Sequence, residues 1–156
     1  MATGILEVHL VDAKGLKNTD SLGKSDPYVV VKYGGHERKS SVARGAGKAP
    51  KWNERLTFKA EYPGSSGHGH HKLTLRIMDK DFFSSDDFVG ETSIYVEDLL
   101  AMGVENGSPA EMHPQRYRVV LADKSYCGQI QVGVTFTPKK EEVVGEDIGG
   151  WKESGF

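Results

Sequence analysis

The segment DKDFFSSDDFVG, residues 79–90, packs four acids into nine positions around two adjacent phenylalanines. Asp79 and Asp81 lie two residues apart at the end of an alternating stretch, so their side chains point to one side. Asp87 returns as the next stretch begins. A second acidic segment, DAKGLKNTDSLGKSDPYV at residues 12–29, carries Asp20 and Asp26 just before Pro27. A third segment, ARGAGKAPKWN at residues 43–53, is basic, with Arg44, Lys48 and Lys51.

The acids are the chemically demanding part. Two carboxylates about 4 Å apart repel by roughly 4 kcal/mol at an effective dielectric near 20. Five converging carboxylates either splay into solvent or share a cation. A donor set made only of oxygen selects a hard cation, and flexible turns suit the six to eight ligands of Ca²⁺ better than the strict octahedron of Mg²⁺. No Cys or His stands within the group, which argues against zinc. An EF-hand loop does not fit either: counted from Asp79, the fifth residue is Phe83, the sixth Ser84 and the twelfth Gly90. A lone Asp-x-Asp is most often a pair of solvated turn acids. Acids supplied by a second turn at the same end change that balance.

The elements that must position these residues read as strands. Apolar residues alternate over 5–11, 28–33, 37–42, 54–60, 73–79, 88–96, 116–121 and 129–136. Short alternating runs between turn-rich segments predict an all-β chain, an eight-stranded antiparallel β-sandwich. The best helical stretch is 97–102, and no internal repeat is present. Residues 63–71 (PGSSGHGHH) and 102–114 read as loops. If each strand reverses the one before it, the odd-numbered turns open at one end. The first turn holds Asp20 and Asp26, the third the basic residues, and the fifth Asp79 to Asp87. The spacing therefore predicts that acids from two turns and bases from a third meet at one pole.

Composition narrows the function classes. The chain has 156 residues and a formal charge of -2, so one domain is expected and bulk charge gives no reason for nucleic-acid binding. The single cysteine, Cys127, cannot form an internal disulfide, which favours a reducing compartment. The opening MATGILEVHL lacks the basic and apolar regions of a signal peptide, and no run is long enough to span a bilayer. A cytoplasmic protein is expected. Nucleophile-elbow, zincin and P-loop motifs are absent, and no positioned base accompanies the acids, so an enzyme is not expected.

Three motifs in order carry a resemblance: SDPYVVV at 25–31, KWNERLTF at 51–58 and DKDFFSSDDFVG at 79–90, after the opening LEVHLVDAKGL. Together they resemble the C2 domain, the calcium- and phospholipid-binding sandwich of protein kinase C and synaptotagmin. The resemblance covers residues 4–137, giving a C2 domain at 1–137 and a mobile polar tail at 138–156. The first strand precedes the first acidic turn and an extra strand closes the domain, which resembles the second of the family's two circularly permuted topologies (type II). A single such domain with a short tail is similar to small plant proteins described as elicitor-responsive or phloem-associated.

The resemblance implies calcium ligation by Asp20, Asp26, Asp79, Asp81 and Asp87, with a backbone carbonyl from Lys80 and a side-chain oxygen from Ser84. Asp86 falls outside that set. Ala49 replaces an asparagine common in the family, at a residue that shapes the turn. The implied function is calcium-dependent binding of an anionic phospholipid membrane, as a monomer that is peripheral at the plasma membrane when calcium rises, in signalling or defence. Two Ca²⁺ ions would change the formal charge from -2 to +2, by -2 + 4, all of it at one end. Leu22, Phe82 and Phe83 are the candidate membrane-inserting tips, each worth roughly 1.5–3 kcal/mol when buried. Arg44, Lys48 and Lys51 would add roughly 1 kcal/mol each near an anionic surface. One phenylalanine folded back as a local cap is the plainer reading of that pair.

A second basic patch at Lys32, Arg38 and Lys39 suits either phosphoinositide or protection of a sheet edge. Trp52 is expected in the core. His68, His70 and His71 are expected in a solvated loop rather than as metal ligands. Trp151 and Phe156, in the tail, are candidates for docking. A calcium-independent protein-interaction module is the rival function.

Overall fold

The computed structural model describes residues 2–18, 24–64 and 71–139. Eight strands and one helix follow in the order β1 (Ala2–Lys14), β2 (Pro27–Tyr33), β3 (His36–Lys39), β4 (Lys51–Tyr62), β5 (Lys72–Asp79), β6 (Asp87–Tyr95), α1 (Glu97–Asn106), β7 (Ala110–Val120) and β8 (Tyr126–Pro138). All ladders are antiparallel, and the strand order is β3-β2-β5-β6-β7-β8-β1-β4.

That order divides into two four-stranded layers. β6 and β7 share the single register pair Glu91↔Val120, whereas β5 and β6 pair over eight positions. Gly90 permits the crossing: a Cβ there would stand 2.4 Å from Val119 Cγ1. The chain can therefore fold back across a shared core instead of continuing as a flat sheet. Leu6, Val8 and Leu10 of β1 and Ile130, Val132, Val134 and Phe136 of β8 line one layer. Val29 and Val31 of β2 and Leu73, Leu75 and Ile77 of β5 line the other. Alternation turns one face of each strand to this core, strictly in β5, while in β2 residues 27–31 are buried on both faces. Trp52 packs in the same core at 8% exposure, as the sequence predicts, and its indole Nε1 donates to the Pro27 carbonyl at 3.2 Å. This bond ties β4 to the start of β2 directly beneath the acidic end.

β1, β4 and β8 run a few residues beyond the predicted ranges at both ends, and the larger differences lie in β3, α1 and β7. β3 stops at Lys39 instead of reaching 42, because the Ser40 hydroxyl accepts the Val29 N–H at 2.8 Å and so replaces a strand partner. Residues 102–114 are not one loop. α1 continues to Asn106, burying Leu99, Leu100 and Gly103, and β7 begins at Ala110. The first half of β7 escapes a period-two search because most of its side chains are exposed and its pairing with β8 shifts between Met112 and Gln115. Pro114, without an N–H, occupies that shift and packs on Gly133.

His71 is a further correction. It is 8% exposed rather than solvated. Its Nδ1 meets the Tyr33 hydroxyl and its Nε2 the Pro63 carbonyl, both at 2.8 Å. The carbonyl can only accept, so Nε2 carries the proton and Nδ1 receives the phenol. His68, His70 and residues 140–156, including Trp151 and Phe156, lie outside the described residues. β8 runs to Pro138, opposite Gly4, and the Lys139 N–H donates to the Thr3 carbonyl at 2.8 Å.

Candidate functional site

β2, β5 and β6 are neighbours, and this places their acidic ends side by side. Asp79, the last residue of β5, is in register with Pro27 on one flank and Asp87 on the other. Asp26 immediately precedes Pro27. The three residues are therefore brought together by strand pairing rather than by sequence proximity. Asp79 is only 4% exposed. One of its oxygens accepts the Asp26 N–H at 2.8 Å, and the Asp26 carbonyl accepts the Lys80 N–H at 3.0 Å. The first and fifth turns are thus bonded to each other across their bases.

The third turn joins them. The Asp26 carboxylate accepts the Gly45 N–H at 2.6 Å. Gly45 has φ +66°, which a side chain would resist, so glycine lets the turn aim that amide inward. The Gly47 N–H donates to the Ser25 carbonyl at 3.0 Å, and the Leu16 N–H to the Lys48 carbonyl at 3.2 Å. Ser25, 2% exposed, donates its hydroxyl to Asn18 Oδ1 at 2.9 Å and so pins the stem of the first turn. The predicted meeting of turns one, three and five at one pole is what the fold contains. Asp20 and Leu22 fall at 19–23, outside the described residues.

The fifth turn carries its own bonds. Asp81 accepts the Phe83 N–H at 2.8 Å and the Ser84 N–H at 3.1 Å on one oxygen, and the Ser84 hydroxyl at 2.7 Å on the other. The Phe83 amide, followed by the Ser84 hydroxyl, holds the Asp81 carboxyl below the usual carboxylate range. The Ser84 hydroxyl gives its proton to Asp81, which leaves its oxygen lone pairs for the role the resemblance implies. Phe83 at the apex is 99% exposed and Phe82 54%. The Arg44 guanidinium lies over the Phe82 ring, 4.9 Å from its centre, so the basic turn and the aromatic tip touch. Lys48 is exposed on the same basic turn, whereas Lys51, expected on that turn, is the exposed first residue of β4, paired with Asp12 of β1.

Sequence reasoning passed over Asp86. Its carboxylate accepts the Tyr28 hydroxyl and, at 2.9 Å, the Asp81 N–H, with Lys80 Nζ 3.8 Å away. The Asp81 amide, then the Tyr28 hydroxyl, lowers the Asp86 pKa. Burial, reinforced by Asp86, pushes the Tyr28 phenol up to about 12. A tyrosine at the start of β2 facing an acid at the far end of the fifth turn was the one available signal, and it needs the strand order to be read.

The donor chemistry of this pole fits a hard cation: Asp26, Asp79, Asp81 and Asp87 offer only oxygen, on turns already fastened together. Among the described residues, however, no three His, Cys, Asp or Glu side chains are gathered in the geometry of a metal site. The second basic patch is partly self-neutralised. Lys32 pairs with Glu37 at 3.7 Å, and Arg38 lies over the Phe58 ring at 5.6 Å. Among the described residues, no helix is long and apolar enough to cross a membrane.

Comparison with known proteins follows the same lines. The chain is 54% identical over 156 residues to elicitor-responsive protein 1 of Oryza sativa subsp. japonica, covering 97% of this chain and 96% of the relative. It is 49% identical over 156 residues to 16 kDa phloem protein 1 of Arabidopsis thaliana, covering 99% and 98%. A solved C2 domain-containing protein from a putative elicitor-responsive gene superposes with a TM-score of 0.68 at 35% identity, over 91% of this chain and 96% of that one. The model of the C2 domain family matches residues 4–112, and the chain belongs to that family.

Proposed function

We propose that this chain is a calcium-dependent phospholipid-binding module, a non-catalytic domain that moves from the cytosol to an anionic membrane, such as the plasma membrane, when Ca²⁺ rises. The single observation that carries the reading is the joining of three turns at one pole: Asp26 bonded to both Asp79 and Gly45, with Phe83 fully exposed on the turn that follows Asp79. Asp20, Asp26, Asp79, Asp81 and Asp87, with the Lys80 carbonyl and Ser84, would hold the calcium. Bound there, the metal supplies positive charge and open positions for lipid phosphate or carboxylate oxygens.

The chain's own groups do the rest. The carboxylates keep this pole negative and unattractive to anionic headgroups until they are neutralised. Arg44 and Lys48 face the same headgroups from the third turn, and Lys51 from the start of β4. Phe83 reaches the acyl region first, because nothing covers it. Phe82 starts against Arg44, so its insertion and the engagement of Arg44 with a phosphate are linked events. The plant relatives' names, elicitor-responsive and phloem protein, support a role in defence or signalling.

Co-sedimentation with phosphatidylserine vesicles, with calcium or with chelator, tests the reading. The wild type pellets only with calcium. Asp81→Asn combined with Asp87→Asn stays in the supernatant, and pelleting of that variant would refute the ligand assignment. A second reading, a calcium-independent protein-interaction module, draws on the engagement of Asp81 within its own turn. Calorimetric titration separates the two, since the second reading requires no heat from calcium.

A further inference from the structure

Asp86 is the acid of the fifth turn that the ligand set leaves out, yet it has three partners there. Tyr28, 8% exposed on β2, donates its hydroxyl to one oxygen. The Asp81 N–H donates to the other at 2.9 Å. Lys80 Nζ balances the charge from 3.8 Å. The Asp81 carboxylate in turn receives the Phe83 and Ser84 amides and the Ser84 hydroxyl. A continuous series of bonds therefore runs from a buried strand residue, through Asp86, to the apex that carries the exposed aromatic side chains. The lower part of the turn is held separately, by the Lys80 N–H on the Asp26 carbonyl.

From this geometry we infer that Asp86 and Tyr28 are positioning residues: they brace the fifth turn from β2, fixing the Asp81 carboxylate where it can serve a cation and fixing the apex where Phe83 projects. The part concerning the cation rests on the calcium reading above; the part concerning the apex does not. Asp86 sits at the far end of its turn, five residues after Asp81, so the bond closes the turn upon itself. Tyr28 is the only member of the series anchored outside the turn. Without its hydroxyl the closed turn keeps its internal bonds and its base on Asp26 but loses the bond that ties its far end to β2.

A charge-only role for Asp86 makes different predictions. Asp86→Asn removes the charge but keeps an oxygen for the Asp81 N–H. Asp86→Ala removes both. Tyr28→Phe leaves the charge and the ring in place and removes only the hydroxyl. If Asp86 positions the turn, Asp86→Ala weakens calcium binding by roughly 10–100-fold, as removal of residues that orient metal ligands does. Tyr28→Phe then reproduces a large part of that loss, Asp86→Asn retains most of the affinity, and the Ala/Phe double variant is no worse than Asp86→Ala alone. If Asp86 acts by charge, Asn and Ala are equally harmful and Tyr28→Phe is silent, which overturns the inference.

The second readout needs no metal. Amide hydrogen exchange of Asp81, Phe83 and Ser84, followed by NMR with chelator present, should speed up about tenfold or more in Asp86→Ala and in Tyr28→Phe, while core amides of β5 stay protected. Unchanged exchange at these amides in both variants refutes the brace. If the wild type gives no calcium heat, the calcium reading falls, and the exchange experiment alone decides for or against the brace. If the wild type binds calcium and the variants match it in affinity and exchange, the brace falls and the calcium reading stands.

Discussion

The two phenylalanines of the fifth turn are unequal, and Phe83→Ala against Phe82→Ala measures how unequal. Phe83 is 99% exposed, so in water it contributes no packing that a membrane must first undo. Full burial of such a side chain is worth roughly 1.5–3 kcal/mol, about 10–150-fold in partitioning. Phe82 is already half covered at 54% exposure, and its ring lies 4.9 Å beneath the Arg44 guanidinium. About half of the transfer gain is left to it, and separating it from Arg44 costs roughly 0.5–1 kcal/mol at an exposed site. The net gain from Phe82 is then below about 1 kcal/mol, less than about fivefold. The assay is partitioning onto phosphatidylserine vesicles of increasing concentration at saturating calcium, with calcium affinity measured separately by calorimetry without lipid. Phe83→Ala should lose about tenfold or more in partitioning at unchanged calcium affinity, and Phe82→Ala much less. Equal losses, or a larger loss for Phe82→Ala, would refute the division of labour derived from their exposures. No loss in either would remove the insertion step.

Three further perturbations test other parts of the structure. Gly90→Ala places a methyl 2.4 Å from Val119 Cγ1 and 3.1 Å from the Val120 carbonyl, so it should destabilise the domain by about 1–3 kcal/mol in urea denaturation; a neutral result would mean the two layers are not tightly joined there. Tyr33→Phe leaves His71 Nδ1 buried without its donor, at a cost of about 1–3 kcal/mol in the same assay, without affecting calcium binding at the opposite pole. In alkali, Tyr28 and Tyr33 should ionise near pH 12 in an ultraviolet tyrosinate titration, because burial raises both from the ordinary 10, with Asp86 assisting at Tyr28. Their folded pKa exceeds the unfolded one, so the stability they contribute is complete below about pH 10 and is lost as pH rises through about 12. A single tyrosinate step near pH 10, with the protein still folded, would contradict this.

The strands were legible wherever one face is buried and the other is wet. β5 alternates strictly, and β1 and β8 do so apart from the shift after Leu10 and the buried Gly133, so the apolar residues the pattern selects are core residues. Legibility failed where burial stops following the period. The first half of β7 is an exposed edge held by backbone bonds to β8, so its side chains carry no signal. β3 is exposed at all four positions, and only the Ser40 hydroxyl on the Val29 amide marks its end. His71 ends a Gly- and His-rich run that reads as solvent-exposed, yet its ring fills a site built by Tyr33 of β2 and by Pro63 at the other end of the same run. A polar residue whose partners are non-local looks the same in sequence as one facing water.

The same distinction explains what could be read at the acidic pole. Counting reversals was enough to bring Asp26, Asp79 and Asp87 together, because strand pairing sets Cα positions and Asp79 stands in register with both flanks. Counting says nothing of where carboxylate oxygens point once backbone amides compete for them. Asp81 and Asp86 occupy one turn and carry the same functional group, yet one closes the apex and the other ties the turn to Tyr28. Counting accepted amides does not separate the two roles, since Asp81 accepts two and Asp86 one; what separates them is where the partners sit, within the turn for Asp81 and also on β2 for Asp86. A turn this rich in acids can serve a cation only if some of its carboxylates are assigned to holding its shape. Asp86, with its Lys80 and Tyr28 partners, meets that requirement without adding unbalanced negative charge at the pole.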